Sequence, residues 1–403
     1  MSSVNELRVG VVGVGQRAVL AEYANRPGYS RVVSCADPTE RGRADAVRLF
    51  GPDVAAHSDY RSMSDDDLDA VFVFTPDYVH TEPVLQFLKA GVAVFVEKPM
   101  AISIEDCDAM LTTAASLGTR LYVGHNLRHL PMLVKMRELI DSGVIGQVRS
   151  VWCRHFVGHG GDYYFKDWHA EREKTTSLLL QKGAHDIDVI HWLAGGYSRD
   201  VVGLGALTVY GGSPHRRAPE DANGTQRMPD WFDRKAWPPS ELRGLNPTID
   251  VEDLSMMMAR LDNGVFTSYQ QCHYTPDYWR NYTVIGDEGR LENFGDGIEG
   301  DPAVVRVWNA RRSGYRADAD VTLEINPSTE ERHGGADQHL VAEFLRFAAE
   351  GGATETSPLA AREAVAAGVA ATVSLRDGGR PVAVPALDPE LVGYFAAHQC
   401  PRS

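Results

Sequence analysis

Cysteine is scarce in this chain. There are five, Cys35, Cys107, Cys153, Cys272 and Cys400, scattered and never spaced Cys-x-x-Cys. That scatter excludes a disulfide framework and a zinc knuckle and reads as reduced thiols. Long apolar runs are missing too, none approaching the roughly 20 residues that span a bilayer. Cationic side chains number 40 against 55 acidic ones, and a formal charge of −15 argues against a polyanion partner, whose site needs clustered Lys and Arg. The first residues run straight into an apolar strand, leaving no space for a secretory signal. The expectation is a cytoplasmic protein without membrane or nucleic-acid partners. What remains is ordinary globular composition, 43% hydrophobic in 403 residues, long enough for two cored domains.

The run Leu7-Arg8-Val9-Gly10-Val11-Val12 predicts a strand that enters Gly13-x-Gly15-x-x-Ala18 and then a helix. Gly13 permits a tight turn, Gly15 lets a pyrophosphate approach the backbone, and Ala18 keeps helix and strand close. Gln16 and Arg17 open the helix, whose N–H groups suit phosphates. A second strand over 31–36 ends on Asp37, about twenty positions on, where a carboxylate accepts hydrogen bonds from an adenosine ribose. A carboxylate there repels a 2′-phosphate and favours NAD over NADP. Arg41 and Arg43 follow closely and in principle offset it.

A further apolar run, Val94-Phe95-Val96, ends on Glu97-Lys98-Pro99. A lysine at the carboxyl end of a parallel strand stands where α/β sheets bind ligands. Its ammonium can hydrogen-bond a substrate oxygen or lower a neighbour's pKa. An ordinary solvated lysine is the plain alternative.

Up to Asn126 the pattern alternates strand and helix, as a doubly wound parallel sheet requires. Helices are predicted near 40–50, 80–90 and 103–116, with strands at 70–74 and 120–124. The domain boundary is placed at Asn126, giving 1–126 and 127–403. Beyond it, helix patterns at 131–142 and 179–194 mix with strand patterns at 147–156, 201–210, 253–261, 264–274 and 281–286. This predicts a mixed, largely antiparallel open sheet with helices on one face and a second subunit on the other. Residues 212–250, rich in Pro, Arg, Asp and Gly, read as a long loop insertion, a rim or lid. Amphipathic helices are expected over 337–349 and 358–376.

Helical period puts Gln181, His185, Asp188 and Trp192 on one side of the 179–194 segment, with Ala184, Ile187, Ile190 and Leu193 as a neighbouring apolar stripe. His185 then either projects into a cleft as a proton-transfer group or packs inside the helical layer. Weaker constellations are His155, His159 and His169, which lack the carboxylate-rich surroundings of a metal site, so no metal is expected. His333, Asp337 and His339 precede or open a helix, with Asp337 read as an N-terminal charge or cap.

Gly13-x-Gly15, Asp37-Pro38, Thr75-Pro76-x-x-x-His80, Ala90-Gly91, Glu97-Lys98-Pro99 and His185-Asp186-x-Asp188 occur in that order. Together they resemble the Gfo/Idh/MocA oxidoreductases, a likeness that continues through Ile285-Gly286-Asp287-Glu288-Gly289-Arg290-Leu291-Glu292. The resemblance implies a Rossmann domain, a C-terminal α/β domain with an open sheet that often forms the oligomer interface, and NAD as cofactor. It implies a cofactor site drawn from Gly13, Gly15, Gln16, Arg17, Asp37, Thr75, Pro76, His80, Glu97, Lys98 and Asn126. It also implies that Lys98 and His185 are catalytic and face the nicotinamide from opposite sides of the substrate. One departure stands out: where inositol dehydrogenases commonly carry an aspartate four residues before the histidine, this chain has Gln181. Glutamine can orient a hydroxyl but cannot stabilise an imidazolium electrostatically. Asp162, Asp186 and Asp188 are the candidate substitutes.

The implied reaction moves a hydride between a secondary hydroxyl of a sugar or polyol and nicotinamide, in a homo-oligomer, dimer or tetramer. Arg128, Tyr163, Trp168 and Gln181 join Lys98 and His185 as candidate substrate contacts. Tyr163, Tyr164, Trp168 and His169 suit either stacking on sugar faces or packing between domains. Two other activities fit the same residues. One is a redox glycosidase that oxidises a ring hydroxyl transiently and eliminates the aglycone; the other is a non-catalytic dinucleotide sensor, which has no need of Lys98 and His185.

Overall fold

The computed structural model describes residues 6–221, 228–298, 302–326 and 335–400. They form two compact units. The first comprises the chain up to Asn126 with Asp337–Arg362 and the segment from Ala386; the second comprises Leu127–Ala336 and Glu363–Pro385.

In the first unit, short buried β-branched runs make six parallel strands: β1 (Leu7–Val12), β2 (Ser30–Ala36), β3 (Ala55–His57), β4 (Ala70–Val73), β5 (Ala93–Val96) and β6 (Leu121–Val123). Their order is β3-β2-β1-β4-β5-β6, so the winding reverses between β1 and β4. At such a reversal the loops leave a crevice outside the strands' carboxyl ends. Helices α1 (Glu40–Phe50), α2 (Thr81–Lys89) and α3 (Ile104–Leu117) connect them. Thr39 caps α1 by accepting from the Gly42 N–H, and Ser103 caps α3 by accepting from Asp106. The expected helix after Gly15 is a 3₁₀ helix, Gln16–Ala24.

The boundary expected at Asn126 assigned all later residues to the second domain, and two C-terminal segments depart from it. Helix Ala336–Glu350 seats Phe344 among Phe72, Phe95 and Tyr122, with ring centroids 4.9, 5.4 and 5.6 Å away. The Tyr122 hydroxyl donates to Glu343 at 2.6 Å. Gln399 then satisfies the outer edge of β6, its side-chain amide accepting from the Leu121 N–H and donating to the Leu121 carbonyl. Burial of aromatic surface, invisible to a linear reading, sets this membership.

The second unit is built on α4 (Pro131–Asp141) and nine strands: β7 (Val148–Phe156), β8 (Ser198–Ala206), β9 (Leu254–Leu261), β10 (Phe266–Cys272), β11 (Trp279–Gly286), β12 (Arg290–Phe294), β13 (Ala303–Trp308), β14 (Val321–Ile325) and β15 (Val382–Ala383). The order is β14-β13-β12-β11-β7-β10-β9-β8-β15, and among the described residues only β7 and β10 pair in parallel. Strict alternation puts Val151, Cys153 and His155 of β7 inward and Trp152 outward. Met258 and Phe266, 60% and 62% exposed, stand on the outward face with Trp152.

The helix expected over 179–194 is two pieces, Leu178–Gln181 and Gly183–Ala194, and Ala184, Ile187, Ile190 and Leu193 are buried as the apolar stripe required. The described part of the 212–250 insertion is more than a rim. Its Leu242, Leu245 and Ile249 pack with Phe165, Leu178 and Tyr210 in a small core of their own. Among the described residues no helix is long and apolar enough to cross a membrane.

Candidate active site

The first unit gathers its polar residues at the carboxyl ends of β1, β4, β5 and β6. Gly13 has φ +85°, and a Cβ there would lie 2.8 Å from the Thr75 nitrogen, so only glycine lets the β1 and β4 loops approach. A Cβ on Gly15 would meet nothing within 4 Å, which leaves that backbone open to a ligand. Asp37 fixes the glycine loop: its carboxylate accepts from the Val14 N–H at 2.9 Å and from the N–H and hydroxyl of Thr39 at 2.8 and 2.6 Å. Arg43 donates to the Asp37 and Pro38 carbonyls, which commits part of its fork to the loop.

Glu97 organises the turn after β5. One of its oxygens receives Arg17 Nε at 2.7 Å, and the other receives the Lys98 N–H at 2.7 Å. Arg17 also reaches Asp337, and Asn126 donates to the same carboxylate at 3.0 Å. Asp337 therefore does more than place charge at a helix start. It ties the glycine-loop arginine to the end of β6. Lys98 is half-buried at the head of this cluster, on a cis bond to Pro99. Thr75 Oγ1 and Asn126 Oδ1 are buried with no partner among the described residues. The open Gly15 backbone and these two orphaned oxygens fit a dinucleotide laid across the strand ends.

His80 is fully buried. Its Nε2 lies 2.9 Å from the Thr75 carbonyl and its Nδ1 3.0 Å from the Pro99 carbonyl, so it staples the two ligand loops together from behind. The resemblance put His80 among the cofactor contacts; the structure leaves it no exposed surface for that.

The second unit holds the histidine helix. His185 is half-buried near its start, while Gln181 and Asp188 are buried. Asp186, its neighbour in sequence, is the hub of a sealed network. It receives His155 Nδ1 at 2.9 Å and the hydroxyls of Tyr269 and Tyr282 at 2.9 and 2.5 Å, with Arg280 Nε 2.9 Å away. Burial alone pushes the Asp186 carboxyl up, but Arg280 and His155 hold it well below the usual carboxylate range. Burial, with Arg280 nearby, pulls His155 down to about 3. A neutral His155 therefore donates from Nδ1 to Asp186.

Residues 7–125 match the oxidoreductase family's NAD-binding Rossmann fold, and residues 137–384 match its C-terminal α/β domain. The chain belongs to the Gfo/Idh/MocA family. It is similar to 2,7-anhydro-N-acetylneuraminate hydratase of Mediterraneibacter gnavus, 32% identical over 206 residues, 50% of this chain and 53% of that protein. It is also similar to inositol 2-dehydrogenase of Salmonella typhimurium, 28% identical over 191 residues, 46% and 54% of the two chains. The chain spans about half the length of these curated relatives. Levoglucosan dehydrogenase, solved with NADH and levoglucosan, shares its fold, with a TM-score of 0.75, 20% identity, and coverage of 95% of this chain and 100% of that one.

Several expected site residues of this Gfo/Idh/MocA chain have partners within the second unit. Arg128 and Asp188 pair with each other through two hydrogen bonds. Asp162 is buried and holds Lys166 Nζ at 2.6 Å. Tyr163 packs on Phe232 and Tyr164, and Trp168 stacks on His169 with centroids 3.7 Å apart. His155, His159 and His169 have separate partners: Asp186, the Phe232 ring and Asp167. His333 lies outside the described residues, and His339 is exposed. Sequence reading missed the role of Asp337 and the Asp186 network, because each depends on residues distant in the chain.

Proposed function

We propose that this protein oxidises a secondary hydroxyl of a sugar or polyol with NAD. The observation that carries the reading is the Arg17–Glu97–Lys98 arrangement at the crevice where a Rossmann sheet binds its dinucleotide. Gly13, Gly15 and Gln16 would hold the pyrophosphate, Asp37 the adenosine ribose, and Thr75, Pro76 and Asn126 the nicotinamide half. Nicotinamide bound there would supply the acceptor for the hydride that the substrate carbon loses. Lys98 donates a hydrogen bond to the substrate oxygen, and His185 takes the hydroxyl proton as general base. The Asp186 network holds the helix that carries His185, and Gln181 orients a substrate hydroxyl. Asp37 favours NAD over NADP by opposing a 2′-phosphate.

We also assign the outward face of the nine-stranded sheet to a second copy of this chain. Trp152, Met258 and Phe266 expose apolar surface there in a shallow groove of about 390 Å³, and an antiparallel sheet with one apolar face bare calls for a partner. The deciding experiment mixes purified protein and NAD⁺ with sugars, inositols and aryl glycosides, following NADH absorbance and released aglycone in parallel. NADH accumulation upholds the reading. Aglycone release without net NADH replaces it with the redox glycosidase. Dinucleotide binding with silence in both channels favours the sensor.

A further inference from the structure

Asp337 lies in the first turn of helix Ala336–Glu350, within the first unit, and its side chain is buried. Charge at a helix start needs no side-chain partners, yet Asp337 has them. Its Oδ1 receives Asn126 Nδ2 at 3.0 Å, and its carboxylate lies 3.3 and 3.4 Å from Arg17 Nη1 and Nη2. Arg17 has Glu97 at 2.7 Å besides, so the contact with Asn126 has the larger consequence. A carboxylate paired with a guanidinium can only accept, so the nitrogen of the Asn126 amide must face it. That fixes which way the amide is turned and presents Oδ1 on the opposite side. Oδ1 is buried and has no partner among the described residues, which is costly until a donor arrives.

Asn126 follows β6 at its carboxyl end, across the β1/β4 reversal from Asp37. A Cβ built on Gly124 would lie 3.6 Å from Glu97 Oε2, so the chain entering Asn126 runs beside the turn that carries Lys98. With an adenosine ribose at Asp37, the nicotinamide half of a dinucleotide extends toward this side of the sheet. Its carboxamide offers N–H donors beside a carbonyl oxygen that can only accept.

We infer that Asp337 is a positioning residue for the nicotinamide: by holding Asn126 Nδ2, it turns Oδ1 toward the carboxamide N–H. The inference rests on the reading of Asn126 as a contact of the nicotinamide half. Phe344, packed among Phe72, Phe95 and Tyr122, anchors the helix, so the orienting carboxylate stands on a rigid element. Without Asp337 the amide is free to turn, and Nδ2 then serves the carbonyl oxygen instead.

Calorimetric titration of the full chain with NADH, ADP-ribose and reduced 3-acetylpyridine adenine dinucleotide tests it. The acetylpyridine compound keeps the carbonyl oxygen and has a methyl group where NADH has the carboxamide nitrogen. NADH should bind about three- to tenfold tighter than this analogue, the worth of one hydrogen bond. Asp337→Ala should erase most of that margin while changing ADP-ribose affinity far less. Asp337→Asn should keep the margin, because its side-chain oxygen still accepts from Asn126. Asn126→Ala should lose the margin too, and adding Asp337→Ala to it should alter the margin no further. No margin in the unaltered protein, an undiminished margin in Asp337→Ala, or Asp337→Asn failing as Asp337→Ala does overturns the inference. If NADH still binds tighter than ADP-ribose, the positioning role falls alone; if it binds no tighter, the placement of Asn126 falls with it. Binding is read without substrate, so hydride transfer stands or falls separately, on NADH production.

Discussion

Arg128 grips the carboxylate of Asp188 through two hydrogen bonds of 2.8 Å each. Both side chains are buried, and the guanidinium also lies 5.3 Å from the centre of the Trp192 ring. A planar fork on a carboxylate is the strong form of ion pair. Once buried it is costly to break from one side only, because the survivor is left charged without its partner.

Arg128→Ala should therefore destabilise the second unit by about 3–5 kcal/mol. The double change Arg128→Met with Asp188→Leu should recover much of that loss. Urea unfolding followed by tryptophan fluorescence reads both variants. Equal losses in the single and double variants would show that packing, not charge, is what Arg128 provides.

Lys98→Met should lower kcat by about 10²–10⁴, the usual worth of a positioned proton-transfer or hydrogen-bonding group. Dinucleotide affinity should stay near that of the unaltered protein, since Glu97 still binds the residue-98 N–H and Arg17. NADH fluorescence titration beside steady-state kinetics separates the two effects. Unchanged turnover would remove Lys98 from the chemistry.

Asp37→Ser should shift the NADP-to-NAD affinity ratio upward by roughly tenfold or more, because like charges a few ångströms apart cost more than the about 1.4 kcal/mol of a tenfold change. NAD affinity itself should fall, since the carboxylate also holds the Val14 and Thr39 N–H groups that shape the loop. An unaltered ratio would mean that Asp37 serves the loop and not the choice of cofactor.

Local signals were legible in the sequence wherever one element carries them. β-Branched runs and the glycine turn predicted most of the parallel sheet. What stayed hidden was long-range pairing. Nothing near Arg17 points to Asp337, and nothing near Asp186 points to Tyr282 or Arg280. The composition of 212–250 spoke for a loop because its apolar residues are sparse, yet Leu242, Leu245 and Ile249 suffice to pin it. Arg128 and Asp188 were legible as polar residues in the right places, but a pattern cannot tell a side chain facing a ligand from one facing a partner.

Acid should weaken the second unit earlier than carboxylate titration alone predicts. Burial pulls His155 down to about 3 and His191 down to about 4. In the unfolded chain both titrate near the ordinary value of about 6.5. Below that value the unfolded state takes up protons that the folded state refuses, so stability falls as pH drops from about 6.5 toward 4. Asp186 acts lower down: its depressed folded value contributes stability above the ordinary carboxylate range, lost only as pH falls through that range and below. The urea midpoint should thus decline between pH 7 and 5, and His155→Gln should flatten that decline while lowering the plateau at pH 8, because Asp186 loses one of its donors. A midpoint level from pH 7 to 5 in the unaltered protein would mean that these histidines take up their protons in the folded state.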